Sequence, residues 1–357
     1  MGRKPTRNTH LPPGMRARHR GETTYYYYDH GGKPRREEPL GTDYRVAVTR
    51  WAELEKVDAP KDSARTFKDA VTVYLREVLP KKATRTQEDN LAELANLKEY
   101  FDDDTPLDEI EPVHISAYLR WRHQKSVATY VAKKQKPPAN AGHVRANREL
   151  SLFSHIFNTA REKGLTKAAN PCAGVKKNAE EGRDVYVEDD LYAKVYAVAD
   201  QPTRDAMDLA YLAGQRPQDT LNYDERDIRD GFLLIDQGKT GKKLRMEIVG
   251  ELKAVIERIK ARKATYKVMS TALVVNEKGQ RMTLNAMQIR FKNARRAAGV
   301  KDDDAFQLRD LRAKAATDKA DSTGDIRQAQ KQLGHESVTM TEVYVRKRRG
   351  EKVGPTR

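Results

Sequence analysis

The chain has 357 residues, 34% of them charged and 38% hydrophobic, and a formal net charge of +16. Its length suggests two or three domains, and the basic excess calls for a polyanionic partner, because neutralised phosphates release counterions. An anionic membrane surface is the competing partner, but no apolar run approaches the roughly 20 residues that span a bilayer, and the single Cys172 excludes an internal disulfide and fits a reducing, cytoplasmic compartment.

Residues 1–20 are rich in Arg, Pro and His and predict a basic arm that stays disordered until an anion orders it. Arg3, Lys4, Arg16 and Arg18 are its candidate DNA contacts. The run Thr23-Thr-Tyr-Tyr-Tyr-Tyr28 favours a strand, and Asp29-His-Gly-Gly32 favours a turn into a second strand over 33–40. Only one side of the tyrosine run can face DNA, and Tyr26 and Tyr28 are the candidates. A helix from Asp43 places Val46, Trp51 and Leu54 on its apolar side. Residues 1–60 therefore predict a small sheet with one helix, and a linker falls near Asp58-Ala-Pro-Lys-Asp62.

Residues 63–178 follow a helical pattern. Phe67, Val71, Tyr74, Leu75 and Val78 share one face; Leu91, Leu94, Leu97 and Phe101 form a second stripe; Ile115, Leu119 and Trp121 belong to a third segment. The Lys-rich stretch 125–140 reads as a loop or an extended helix end. A further helix covers 147–157 and stops before Asn170-Pro171, and Arg145 and Arg148 beside it are candidate DNA contacts. Four or five such helices assemble most simply as a bundle. After a charged linker at 176–183, residues 182–357 mix helices (187–200, 203–213, 250–264, 284–298, 309–320, 325–333) with strands at 233–237 and 244–248.

The chemistry-bearing residues sit in this last part. Attack on a phosphodiester needs fixed positive charge around its oxygens, a nucleophile and a proton for the leaving oxygen. Arginine suits the first task, being always charged with a planar fork that matches phosphate. Arg216 follows the helix end Leu209-Ala-Tyr-Leu-Ala-Gly214, and Asp219 three residues on can anchor it. Lys239, with Lys242 beyond it, lies in the turn Gly238-Lys-Thr-Gly241 between the two strands. Arg309 and Arg312, spaced i, i+3, fall on one helix face opposite Leu308, Leu311 and Ala315. Gly334 ends a helix and projects His335 from the following turn, shortly before Tyr344. Among 68 Lys and Arg residues and 16 tyrosines, none of these is a strong signal alone.

Together the strings Gly214-Gln-Arg216-Pro-Gln-Asp219, Gly238-Lys-Thr-Gly241, Arg309-Asp-Leu-Arg312, Leu333-Gly-His335 and Tyr344 resemble the catalytic set of the tyrosine recombinases, the phage integrase family. The resemblance implies that Tyr344 attacks the scissile phosphorus and forms a 3′-phosphotyrosyl link, that Arg216 and Arg312 cage the phosphate, and that Lys239 and His335 handle protons with neither metal nor cofactor. Arg309 departs from the pattern, which usually carries histidine there; arginine cannot shuttle protons, so its implied role is electrostatic.

The amino-terminal part resembles the arm-binding domain of lambda-type integrases, with a small three-stranded sheet, and the helical part resembles their core-binding domain. The implied fold is multidomain α+β: arm-binding domain (1–60), helical core-binding domain (63–178) and mainly α, mixed catalytic domain (182–357). The implied function is site-specific integration and excision of a mobile element in a bacterial host cell. The implied partners are double-stranded DNA at core-type and arm-type sites, a homo-tetramer on that DNA, and DNA-bending and directionality factors. In the family the carboxyl end, here 346–357, exchanges between protomers. A type IB topoisomerase-like enzyme and a catalytically impaired DNA-binding relative are the alternatives.

Overall fold

A computed structural model describes residues 11–55, 64–267, 270–300 and 306–345. Arg3, Lys4, the linker at 58–62 and the carboxyl end 346–357 lie outside them. The chain divides into two compact units, residues 1–181 and 182–357.

The first unit opens with three antiparallel strands, β1 (Met15–Arg20), β2 (Thr23–Asp29) and β3 (Glu37–Gly41), in the order β1-β2-β3. Residues 15–20 thus form a strand, not the disordered arm expected. They carry no β-branched side chain that announces it, and pairing with the tyrosine strand creates it. A turn at Gly21-Glu22, with Gly21 at φ +58°, closes this hairpin, and Arg20 pairs with Thr23.

Helix α1 (Tyr44–Leu54) starts at Asp43, whose carboxylate accepts from the backbone N–H of Arg45 at 2.8 Å. Its buried face is Ala47, Val48, Trp51 and Ala52, whereas Val46, expected on that face, is exposed. The Trp51 indole donates to the Pro13 carbonyl at 2.9 Å and ties the segment before β1 to the helix.

Helices α2 (Phe67–Glu77), α3 (Thr84–Tyr100), α4 (Pro112–Ala132) and α5 (His143–Glu162) complete the unit. Helix α4 runs through the first half of the Lys-rich stretch, so that stretch is a helix end followed by a loop. The core is continuous from Met15, Leu40 and Trp51 to Phe67, Leu75, Phe101 and Phe153. At its centre the buried Glu149 carboxylate of α5 accepts from Tyr118 Oη at 2.7 Å, Arg122 Nε at 2.9 Å and Asn96 Nδ2 at 3.0 Å, joining α3, α4 and α5. A buried carboxylate is tolerated only with this degree of pairing.

The second unit contains α6 (Asp189–Val198), α7 (Gln201–Ala213), α8 (Pro217–Asn222), the antiparallel strands β4 (Ile228–Arg229), β5 (Phe232–Asp236) and β6 (Lys243–Glu247), then α9 (Gly250–Lys263), α10 (Leu284–Ala297), α11 (Asp310–Thr323), α12 (Ile326–Leu333) and α13 (Val338–Glu342). Leu209, Ala210, Leu233, Ile256, Phe291, Phe306 and Leu311 form its core. Among the described residues, no helix is long and apolar enough to cross a membrane.

Candidate active site

Helix α7 ends at Gly214, which takes the left-handed conformation at φ +65°. A Cβ there would sit 3.2 Å from Leu333 Cδ2, so the residue is small because α12 packs directly on it. The chain leaves Gly214 through Gln215 and Arg216 and re-enters a helix at Pro217. Helix α12 ends in the same way at Gly334, φ +69°. The backbone N–H of His335 then returns to the Gln330 carbonyl at 3.1 Å, which holds the histidine beside the start of the next turn.

Arg312, near the start of α11, is 2% exposed. It donates to the carbonyls of Gly214 (2.9 Å) and Leu333 (2.8 Å), so it bridges the two glycine-ended helices. Its Nη2 also lies 3.0 Å from His335 Nε2, and its guanidinium sits 5.4 Å from the centre of the Tyr344 ring. His335 and Tyr344 rings are 5.0 Å apart. Since arginine only donates, His335 Nε2 is the acceptor, and Nδ1 carries the proton, donating to Thr341 Oγ1 at 3.0 Å. Burial, with Arg312 and Arg216 nearby, pushes the His335 pKa down to about 4. Burial and then Arg216 lower that of Arg312 to about 10, which leaves it charged at neutral pH.

Arg216 is held more loosely, 3.4 Å from Gln237 Oε1 and 3.6 Å from Asp219 Oδ2, with its side chain 23% exposed. Asp219 is buried and its other oxygen accepts from the backbone N–H of Gly238 at 3.1 Å. It therefore secures the Lys239 turn as well as facing Arg216.

Four of the predicted residues, Arg216, Arg312, His335 and Tyr344, thus converge with Asp219. Two do not. Lys239 is exposed in its turn and makes no hydrogen bond or ion pair among the described residues. Arg309 occupies the N-cap position of α11 and is exposed, while Arg312 three residues on is covered. Between them Asp310 turns inward, accepting from Arg183 Nε and Nη2 at 2.7 Å each and from the Gln307 N–H at 2.7 Å. Arg309 instead borders a recess of about 330 Å³ whose wall includes Pro217, Leu284, Phe291 and Lys292.

The two DNA-contact tyrosines need correction. Ala17 pairs with Tyr26 and Met15 with Tyr28, and this face of the sheet packs on the core. Tyr26 lies 5.4 Å from the Tyr44 ring and Tyr28 donates to Glu55 at 3.3 Å. The outward rings are Tyr25 and Tyr27, under the guanidinium groups of Arg20 and Arg18 at 5.6 and 4.8 Å. Arg16 and Arg18 are outward and exposed but paired with Asp29 (2.7 Å) and Glu37 (2.5 Å). Arg145 and Arg148 are exposed on α5, and Lys242 is exposed with its stem beside Gly334.

Sequence reasoning missed Gln215, Gln237 and Thr341, all fully buried and all hydrogen-bonded to the cluster. Adjacency to Gly214-Arg216 and to the Lys239 turn was the available signal for the glutamines. Thr341 had none, because nothing in its spacing points at a histidine.

Residues 187–351 match the phage integrase family. The integrase of Enterobacteria phage 434 is 26% identical over 96% of this chain and 96% of its own length, and that of Escherichia phage lambda is 25% identical over the same shares. A lambda integrase tetramer bound to a Holliday junction superposes with a TM-score of 0.67 at 23% identity, covering 97% of this chain and 98% of that one, and so shares the fold. Neither the topoisomerase-like nor the impaired alternative draws support from these relatives. The match over residues 187–351 and the full-length likeness to phage integrases support a lambda-type tyrosine recombinase, an enzyme that cleaves and rejoins DNA.

Proposed function

We propose that Tyr344 is the nucleophile, that Arg216 and Arg312 hold the scissile phosphate, and that His335 and Lys239 move the protons. The convergence of Arg312, His335 and Tyr344, from three separate elements, carries this reading. His335 is neutral and 5.0 Å, ring to ring, from Tyr344, and it becomes a base when the Arg312 hydrogen bond to its Nε2 gives way. In the forward step Arg312 releases His335 Nε2 as it takes the phosphate, the phenol proton of Tyr344 passes to that nitrogen, and the phenol oxygen bonds to phosphorus. The bond from phosphorus to the 5′ oxygen breaks, and that oxygen takes a proton from Lys239. The products are a 3′-phosphotyrosyl ester and a 5′ hydroxyl, and rejoining is the same step reversed. Asp219 orients Arg216, and Arg309 meets a DNA phosphate electrostatically from the rim of its recess.

The partner is double-stranded DNA, with residues 63–178 and 182–357 gripping core-type sites and residues 1–60 binding arm-type sites. Arg3, Lys4, Arg16, Arg18, Arg145, Arg148 and Lys242 supply phosphate contacts. Likeness to lambda integrase, solved as a tetramer on a Holliday junction, supports a homo-tetramer as the working assembly. The setting is the bacterial cytoplasm, where bending and directionality factors bias integration against excision.

A nicked core site that loses its religating hydroxyl on cleavage tests the reading. Wild-type protein accumulates a covalent protein–DNA adduct, and Tyr344→Phe forms none. An adduct formed at wild-type rate by Tyr344→Phe sinks it.

A further inference from the structure

The two buried glutamines form one bridge between the arginines. Gln237 Nε2 donates to Gln215 Oε1 at 2.6 Å and to the Leu333 carbonyl at 2.8 Å. Its Oε1 accepts from Thr240 Oγ1 at 2.8 Å and faces Arg216 Nη1 at 3.4 Å. Gln215 Nε2 donates to the carbonyls of Gln332 (2.7 Å) and Ala213 (3.0 Å), and its Oε1 also faces Arg312 Nη1 at 3.4 Å. Every donor and lone pair of both amides is therefore used. A side chain with both donors and acceptors is required at each position, since an unpaired partner buried here would cost its full desolvation.

Gln237 also closes the turn through its backbone. Its N–H donates to the Lys242 carbonyl at 3.0 Å, and its own carbonyl accepts from Gly241 at 2.8 Å and Thr240 at 3.2 Å. The Lys239 ammonium makes no hydrogen bond or ion pair among the described residues, so the turn decides where it can reach.

We infer that Gln237 is a positioning residue that locks the Lys239 turn and Arg216 in register with Arg312. The inference rests on the proposed role of Lys239 as the acid for the leaving oxygen. It implies that the variant Gln237→Met, nearly isosteric but without polar atoms, loses proton delivery together with phosphate register.

The test uses the full chain, two nicked core-site substrates and single-turnover cleavage. One substrate is all-oxygen; the other carries sulfur in place of the bridging 5′ oxygen, and a thiolate leaves without a proton. On the oxygen substrate, Gln237→Met cleaves about 100-fold more slowly than wild type, the scale set by misplacing a catalytic group by about 1 Å, while binding of the core site changes little. On the sulfur substrate it regains at least about 10-fold, as Lys239→Ala does, because the lost general-acid contribution no longer counts. A merely structural role predicts equal deficits on both substrates. Thr240→Val, which removes the exposed hydroxyl that donates to Gln237, shows a smaller loss with the same sulfur rescue, and it alone decides the matter if Gln237→Met melts below wild type. Rescue of Lys239→Ala without rescue of the Gln237 and Thr240 variants overturns the positioning role and leaves Lys239 as the acid. Failure to rescue Lys239→Ala overturns the acid assignment, and the positioning role with it.

Discussion

His335 is a histidine whose proton is set by its neighbours. Arg312 presents a donor to Nε2 and Thr341 Oγ1 takes the Nδ1 proton, so protonating Nε2 would both break a hydrogen bond and place two cations 3.0 Å apart. Burial of the ring, and then the charges of Arg312 and Arg216, lower the ordinary pKa of 6.5 to about 4. Between those values the unfolded chain binds a proton that the folded one refuses, so this group favours folding fully above pH 6.5 and loses its contribution as pH falls to about 4. The melting temperature of wild type should accordingly drop more steeply between those limits than that of His335→Gln; parallel curves would contradict it. The same depression keeps the proposed base unprotonated at pH 5.5, so cleavage should hold its rate where an ordinary imidazole would be mostly charged. The Leu-Gly-His string exposed this residue in the sequence because Gly334 must be left-handed. Replacing Gly334 with Ala should cost about 1–2 kcal/mol in backbone strain alone, and its Cβ would also lie 3.0 Å from Gln237 Nε2. The glutamines stayed hidden because an amide acts here through three-dimensional partners that no periodicity encodes.

At the scale of elements, helix α11 is fixed from outside by the segment that precedes α6. Arg183 pairs bidentately with Asp310, Tyr186 donates to Asp318 at 2.7 Å, and the Lys314 ammonium lies 4.9 Å from the Tyr186 ring while bonding to Asp189. Val187 is fully buried between these contacts. Gly182 and Arg183 were read as the end of a linker, since charge and a glycine are linker signals. The partners of this segment lie more than a hundred residues on, which sequence proximity cannot show. A fragment beginning at Gly182 should therefore melt above one beginning at Asp189, by roughly 5–10 °C for about 2–3 kcal/mol of lost packing and pairing. Equal melting temperatures would mean that the segment is an idle tether. The helices themselves were legible wherever an apolar stripe met a cap, as at Thr66-Phe67 with its Asp69 capping box. Strand β1 was illegible because its only apolar residues, Met15 and Ala17, do not favour strands by themselves, and the exposure of Arg309 was hidden because i, i+3 spacing does not tell which end of a helix face is covered.

For the whole molecule, a net charge of +16 sets an electrostatic pull on DNA, but the charges do not contribute equally. On the outer face of the amino-terminal sheet, Arg16 and Arg18 already face Asp29 and Glu37, whereas Arg20 pairs with no acid among the described residues and rests on Tyr25. A phosphate must displace a carboxylate to reach the first two and meets the third unopposed. Each fully neutralised phosphate contributes about 0.9 to the slope of log affinity against log salt. Arg20→Ala should therefore lower that slope on DNA by about 1, and Arg18→Ala by less. The tyrosines divide the same surface by face. Tyr27→Ala should weaken DNA binding without lowering the melting temperature, because its ring is outward. Tyr26→Ala should lower the melting temperature, because its ring packs on Tyr44 and the continuous core of the first unit. Salt-titrated binding and thermal unfolding of the four variants separate these outcomes, and a larger slope change for Arg18→Ala than for Arg20→Ala would show that the acids leave their arginines free when DNA arrives.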